Sequence, residues 1–281
     1  MSARYADAMR AWINGQTLDD ASQPSIAVTD HGFTVGDGVF EAVKVVDNVP
    51  FALTRHLRRL QTSAHALGLP EVDLDAVRRG IDATLADQDL PLGRIRITIT
   101  GGPAPLGSGR GSEPNTIAVV AAPAVAPAPT TSLATFPYPR NERGVLAGVK
   151  TTSYAENVIA LAHAAERGAA EALFVNLAGN LCEGTGSNVF YVVDGELRTP
   201  TLASGCLAGV TRALLVDWCD VREVDEPASV LEDATEIFLA STIRDVQGVH
   251  QLDDRQFVAP GPVTIEAMAT WGLRAAESPD P

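Results

Sequence analysis

The 281-residue sequence is poor in lysine, in cysteine and in positive charge, and it has no long apolar run. Each shortage excludes something. Basic residues number 21 against 35 acidic ones, a formal net charge of −14. A chain this acidic lacks the positive face that nucleic acid or an anionic membrane surface requires, so neither is expected as a partner. No segment approaches the ~18 consecutive apolar residues of a membrane span. The opening stretch MSARYADAMRAW has no apolar core and does not read as a signal peptide. The three cysteines, Cys182, Cys206 and Cys219, are odd in number and lack metal-ligand spacing. That argues against a disulfide framework and a bound metal, and places the chain in the reducing cytoplasm.

What is present is ample material for packed cores: 46% of residues are apolar. At ~150 residues per domain the length implies about two domains. Among the basic residues 19 are Arg and only two are Lys, Lys44 and Lys150. Guanidinium stays protonated, so arginine cannot replace lysine where a neutral primary amine is needed. Each surviving lysine is therefore a candidate for amine chemistry.

The uncharged stretch APAVAPAPTT, Ala122 to Thr131, reads as an extended connector. It divides the chain into a first domain, 1–121, a linker, 122–131, and a second domain, 132–281. In the first, Ala11–Asn14, Phe40–Val46, Ile95–Ile99 and Ile117–Ala121 read as strands. Leu53, Leu57, Leu60, Ala64 and Leu67 recur at helical spacing up to Gly68, and Leu74, Val77, Ile81 and Leu85 mark a second helix. This order suggests a small α/β sandwich. The second part is richer in strands: Glu171–Asn176, Asn188–Val193 and Glu236–Ala240, with helices over Ala155–Arg167 and Thr211–Trp218. Between them lie the turns EGTGSN, SGCLAGVT and ASTIRD.

Lys150, in LAGVKTTSY, is flanked by apolar and hydroxyl residues with no acid within five positions. Desolvation there favours the neutral, nucleophilic amine that Schiff-base chemistry needs. Lys44 reads instead as part of a solvated strand face. Glu183 precedes a Gly/Thr/Gly/Ser turn, where a carboxylate could meet a ring nitrogen or serve as an ordinary turn acid. Gly209, Val210 and Thr211 open a helix, whose first-turn N–H groups suit a phosphate. Ser241 and Thr242 form a second hydroxyl-rich turn. RHLRRL sets Arg55, Arg58 and Arg59 on one helix, with His56 and Arg59 neighbours on its surface. One amine, one carboxylate, an arginine and two anion-ready turns together suit an aldehyde cofactor with a phosphate and a pyridine, which is pyridoxal 5′-phosphate.

The stretches VGDGVFEAVKV, RHLRRL, GVKTTSYAENVIALA, CEGTGSNVF, SGCLAGVTR and ASTIRD run in order between residues 30 and 250. Together they resemble the fold-type IV pyridoxal-phosphate enzymes: branched-chain aminotransferases, D-amino-acid aminotransferases and aminodeoxychorismate lyases. The resemblance implies an α/β (α+β) two-domain fold, a small α/β sandwich followed by a larger strand-rich pseudobarrel that binds the cofactor. It implies that Lys150 holds the cofactor covalently and later carries the proton. Glu183 matches the acid on the pyridine nitrogen, and Arg59 the phosphate-binding arginine. Gly209, Val210, Thr211, Ser241 and Thr242 match the phosphate-binding turns. Leu207 matches the apolar residue on the ring face and Tyr154 the tyrosine near the ring hydroxyl. Asn188 lies in the turn after the glutamate. A small amino substrate and a homodimer are implied as well.

Among members of the family the general resemblance is nearest to actinobacterial aminodeoxychorismate lyases, and GSGRG (Gly107 to Gly111) is similar to a loop of that lyase. The activity so implied converts 4-amino-4-deoxychorismate to p-aminobenzoate and pyruvate, a step of folate biosynthesis. Lyases of the family tend to carry Thr where this chain has Ala42, and GDGVFEAVKV is also similar to the D-amino-acid aminotransferases. A D-amino-acid or branched-chain aminotransferase is thus the alternative, and one chain could carry both activities.

Overall fold

A computed structural model describes residues 9–281. Residues 1–8, on which most of the signal-peptide argument rests, lie outside the described residues. The chain divides into two compact units. Unit 1 runs to Ala126 and takes in Val149–Tyr154 and Pro279–Pro281; unit 2 comprises Pro127–Gly148 and Ala155–Ser278. The division thus differs from the one read from sequence, which put Lys150 and its neighbours in the second part.

Unit 1 contains β1 (Arg10–Ile13), β2 (Gln16–Leu18), α1 (His31–Val35), β3 (Gly38–Val46), β4 (Val49–Pro50), α2 (Leu53–Leu67), α3 (Leu74–Leu85), β5 (Leu92–Thr100) and β6 (Thr116–Pro123). The strands form one sheet in the order β2-β1-β6-β5-β3-β4, antiparallel throughout. Alternation explains which face is covered. Ile95, Ile97 and Ile99 are buried while Arg94 and Arg96 point to the other side, the period of two of a half-covered strand. The apolar rows of α2 (Leu57, Leu60, Ala64) and α3 (Val77, Ile81) close over that face against Val39, Val43 and Val45 of β3. Gly68 ends α2 in the left-handed conformation, φ 70s region being open to glycine at little cost. At the other end of α2 the cap residue is Ala52, which offers no side-chain acceptor. Asp280 supplies one, accepting from the Thr54 N–H at 2.9 Å, and the Pro279 carbonyl accepts from the Ala52 N–H at 2.7 Å.

Unit 2 contains β7 (Thr130–Thr135), α4 (Ala155–Glu166), β8 (Glu171–Val175), β9 (Leu181–Gly184), β10 (Asn188–Val193), β11 (Glu196–Thr199), α5 (Val210–Trp218), β12 (Val221–Glu223), β13 (Glu236–Ser241), β14 (Asp245–Leu252), β15 (Arg255–Gln256) and α6 (Pro262–Glu277). Its sheet follows the order β12-β11-β10-β13-β14-β7-β8-β9, with β15 on β14. The pairs β11/β12, β14/β7 and β7/β8 are parallel and the rest antiparallel. β9 at the end of this path also packs beside β10, so the sheet curls round on itself. Strand β10 is buried along its whole length. The architecture is a mixed α/β one, a sheet covered by helices in unit 1 and a curled, strand-rich sheet in unit 2.

The connector is shorter than the sequence suggests. β6 continues through Pro123 and β7 begins at Thr130, which leaves 124–129 outside strands. Pro123 remains in β6 because the ladder with β5 runs to Gly93↔Pro123, and the Ala124 N–H donates to the Leu92 carbonyl at 2.9 Å just beyond it. Thr130 and Thr131 are β-branched and pair with Gly248 and Val249. Among the described residues no helix is long and apolar enough to cross a membrane.

Candidate active site

Strand β3 organises the site residues of unit 1. β4 pairs only with Val45 and Val46. The Gly38–Phe40 edge is taken instead by the segment around Lys150: the Phe40 N–H donates to the Lys150 carbonyl at 2.9 Å, and the Thr152 N–H to the Gly38 carbonyl at 2.8 Å. The lysine backbone is thereby held like an added strand. Its own N–H donates to Ser63 Oγ of α2 at 3.3 Å. The Lys150 Nζ lies 4.5 Å from the centroid of the Phe40 ring, and the Arg96 guanidinium carbon lies 3.9 Å from it. Tyr154 meets the same ring edge-on, with centroids 5.5 Å apart. Phe40 therefore gathers the candidate nucleophile, the candidate ring-hydroxyl tyrosine and a cation.

Glu41, the next residue, points to the helix side and is fully buried. Its carboxylate accepts from Arg59 Nε and Arg59 Nη2, each at 2.7 Å, and from His56 Nδ1 at 2.7 Å. Burial opposes the charge on Glu41, but the Arg59 and His56 partners outweigh it and hold the carboxyl at about 2. Burial pushes the His56 imidazole below its ordinary value despite the pull of Glu41.

In unit 2, Glu183 sits on β9 just before the turn. The Leu207 N–H donates to Glu183 Oε2 at 2.9 Å, and Arg140 Nη2 lies 3.4 Å from Oε1. Arg140 stacks over Phe174, its Cζ 4.1 Å from the centroid, and donates from Nη1 to Asn157 Oδ1 at 3.1 Å. The Leu207 carbonyl accepts from Asn188 Nδ2 at 2.9 Å and from the Gly209 N–H at 2.8 Å. Glu183, Leu207, Asn188 and Gly209 are thus linked in one hydrogen-bonded chain. Gly209 is the N-cap of α5, and no side chain caps it. A Cβ at this position would lie 2.0 Å from Asn188 Oδ1, so a larger residue would displace the Asn188 side chain or the helix start. The first-turn N–H groups of α5, at Val210 and Thr211, have no intrahelical acceptors and attract an anion. Asn188 faces Ala240 in the β10–β13 register, and Ser241 and Thr242 follow Ala240 at the end of β13. Glu171 secures both turns: it accepts from the Gly186 N–H at 2.8 Å and Ser187 Oγ at 2.6 Å, and pairs with Arg244.

The sequence-derived residues fall into two sets. Lys150, Tyr154 and Arg59 belong to unit 1; Glu183, Leu207, Asn188, Gly209, Val210, Thr211, Ser241 and Thr242 belong to unit 2. Sequence reasoning missed Phe40, Glu41, Arg96, Arg140 and Glu171. For Glu41 a signal existed, a carboxylate in the apolar row Val39, Val43, Val45. Arg140, in PYPRNERG, lies in no periodic pattern.

The profile of the amino-transferase class IV family matches residues 38–252. The chain belongs to this family. Class IV aminotransferases depend on pyridoxal 5′-phosphate, and each unit by itself has residues that suit that group: in unit 2 a helix start at Gly209 with no side-chain cap and a carboxylate that accepts a backbone N–H, in unit 1 a lysine held against an aromatic ring. A Methanocaldococcus jannaschii protein, provisionally assigned as a branched-chain-amino-acid aminotransferase, is 32% identical, the match covering 88% of this chain and 89% of that protein. The bifunctional aminodeoxychorismate lyase/D-amino acid transaminase of Mycobacterium tuberculosis is 30% identical over 87% of this chain and 91% of its own. The pyridoxal-phosphate-bound form of a hypothetical aminotransferase from Mycobacterium tuberculosis superposes with a TM-score of 0.84, at 28% identity, over 97% of this chain and 100% of that one. This class IV chain is therefore similar both to aminotransferases and to a protein that combines transaminase and lyase.

Proposed function

We propose that this class IV enzyme is an amino-acid aminotransferase, with Lys150 and Glu183 as its catalytic residues. One observation carries the choice over the lyase, which the sequence resemblance puts first. Ala42 lies directly across from Arg96 in the β3–β5 register, on the sheet face that also bears Phe40. By the resemblance, a lyase would place a hydroxyl there. The hydroxyls that follow Lys150 are committed elsewhere: Thr151 Oγ1 donates to the Gly38 carbonyl at 3.0 Å, and Thr152 Oγ1 and Ser153 Oγ each donate to the Gly36 carbonyl at 2.9 Å. Amino transfer needs only a base that takes a proton from the substrate Cα and returns one, and Lys150 supplies it. The GSGRG loop and the bifunctional mycobacterial relative favour lyase activity as the second reading.

When bound, pyridoxal 5′-phosphate supplies an aldehyde that condenses with an amine and a pyridinium ring that withdraws electrons from the substrate carbon. Arg59, the α5 start at Gly209, Val210 and Thr211, and the Ser241–Thr242 turn would hold its phosphate. Glu183, beside Arg140, would hold a proton on the ring nitrogen. Leu207 would pack on the ring, Tyr154 would meet its hydroxyl, and Asn188 would fix the Leu207 main chain. Arg96 would receive the substrate carboxylate. Arg94 faces Lys44 on the same sheet face and adds to the positive field. The small domain then corresponds to unit 1 and the cofactor domain to unit 2. We also place the enzyme in the cytoplasm as a homodimer. The free cysteines suit the first, and the exposed apolar side chains Val158, Ile159 and Leu161 on α4 support the second.

The test supplies purified enzyme with D-alanine, L-leucine or L-glutamate plus a keto acid, and separately with 4-amino-4-deoxychorismate. Brisk exchange between amino and keto acid, without p-aminobenzoate release, is expected. Equal amounts of p-aminobenzoate and pyruvate, formed with no amino acceptor and with no transamination, would establish the lyase instead.

A further inference from the structure

We propose that Glu41 is the positioning residue that fixes the Arg59 guanidinium as a phosphate ligand; this rests on the phosphate role proposed for Arg59. Glu41 occupies a place in β3 where alternation calls for an apolar residue: Val39, Val43 and Val45 of the same row are all buried. A carboxylate taken out of water at such a place is costly unless it is paired and fully hydrogen-bonded. Here it is paired in a way that controls orientation. Its two oxygens take Arg59 Nε and Nη2 in the parallel, two-bond manner, which sets both the plane and the roll of the guanidinium. His56, one turn before Arg59 on α2, donates from Nδ1 to Glu41 Oε2 and stops the carboxylate from rotating. Ser63, one turn after Arg59 on the same helix, takes the Lys150 N–H. One helix face therefore carries the arginine, its brace and a support for the Lys150 backbone.

An arginine side chain left to itself loses considerable rotamer freedom when it captures an anion. Glu41 lowers that cost in advance, because two hydrogen bonds already orient the guanidinium. A carboxylate that served only to fill the core would not distinguish a ligand with a phosphate from one without it, and the two roles separate on that point.

Full-length protein stripped of cofactor is titrated with pyridoxal 5′-phosphate and with pyridoxal, which has the same ring and aldehyde but no phosphate. The ratio of the two affinities reads the phosphate contribution alone. Arg59→Ala is measured first. A ratio unchanged by Arg59→Ala refutes the phosphate role of Arg59 and removes the basis of this proposal. Where that ratio falls, Glu41→Gln is expected to lower it by about tenfold or more, with pyridoxal affinity within about twofold of wild type. A wild-type ratio in Glu41→Gln, including equal weakening of both ligands, overturns the positioning role and leaves Arg59 as a ligand. Glu41→Asp keeps the charge but falls one methylene short of the two-bond contact, and it decides the matter if Glu41→Gln does not fold. A lowered ratio in Glu41→Asp supports the proposal, and a wild-type ratio overturns it.

Discussion

A charged residue in the covered row of a strand reports on its partners more than on its own polarity. Glu41 titrates at about 2 in the fold against 4.5 for an ordinary glutamate. Because its folded value is depressed, the stabilisation is complete above the unfolded value and is lost as pH falls through the folded one. The difference corresponds to about 3 kcal/mol at neutral pH. The stability gap between wild type and Glu41→Gln, followed by urea unfolding, should therefore be widest near neutrality and narrow between pH 4.5 and about 2. A gap that stays constant over that window would show that the ion pair contributes nothing pH-dependent. Glu183 is proposed for a different task. Removing its charge should leave the cofactor bound and slow turnover by roughly 10²-fold or more, as for the loss of a principal electrostatic stabiliser. Near-normal turnover of Glu183→Gln, measured with the accepted substrate, would place the ring-nitrogen acid elsewhere.

At the scale of elements, Gly209 offers the sharpest test. Adding one methyl group there drives a Cβ to 2.0 Å from Asn188 Oδ1, so either the Asn188 side chain, which holds the Leu207 carbonyl, or the start of α5 must shift. Gly209→Ala is expected to cost about 1–3 kcal/mol in thermal unfolding of the stripped protein and to weaken cofactor binding. Gly186→Ala, whose Cβ meets nothing within 4 Å, serves as the control and should be near neutral. The elements themselves were largely legible. The rows of α2 and α3 and the alternation of β5 depend on local spacing, and the observed helices span Leu53–Leu67 and Leu74–Leu85. The lysine stood out through scarcity, and the glycine-rich turns through composition. What stayed hidden is tertiary. Val149–Thr152 adds to an edge of β3 more than a hundred positions earlier, and Glu171 meets Arg244 across 73 positions. Arg140 finds Glu183 with no local pattern to announce it. The extension of β6 through Pro123 depends on how far its ladder with β5 runs, which composition does not reveal.

For the whole molecule, the proposed homodimer is checked by light scattering at micromolar concentration, where twice the chain mass is expected. A monomeric mass together with full activity would refute it. Unit 1 also has a history in time. Its sheet and helices are encoded before Ala126, but the backbone that carries Lys150 and the acceptors at Pro279 and Asp280 arrive later. Thr54 and Asp280 are 226 positions apart. At the ~5–20 residues per second of synthesis, that interval is on the order of tens of seconds. Throughout it, the helix bearing His56 and Arg59 lacks the acceptors of Pro279 and Asp280 at its start, and for the first part of it the β3 edge also lacks its lysine segment. A nascent chain thus holds the Glu41–Arg59 pair well before it holds the amine of Lys150, and the helix gains its cap last.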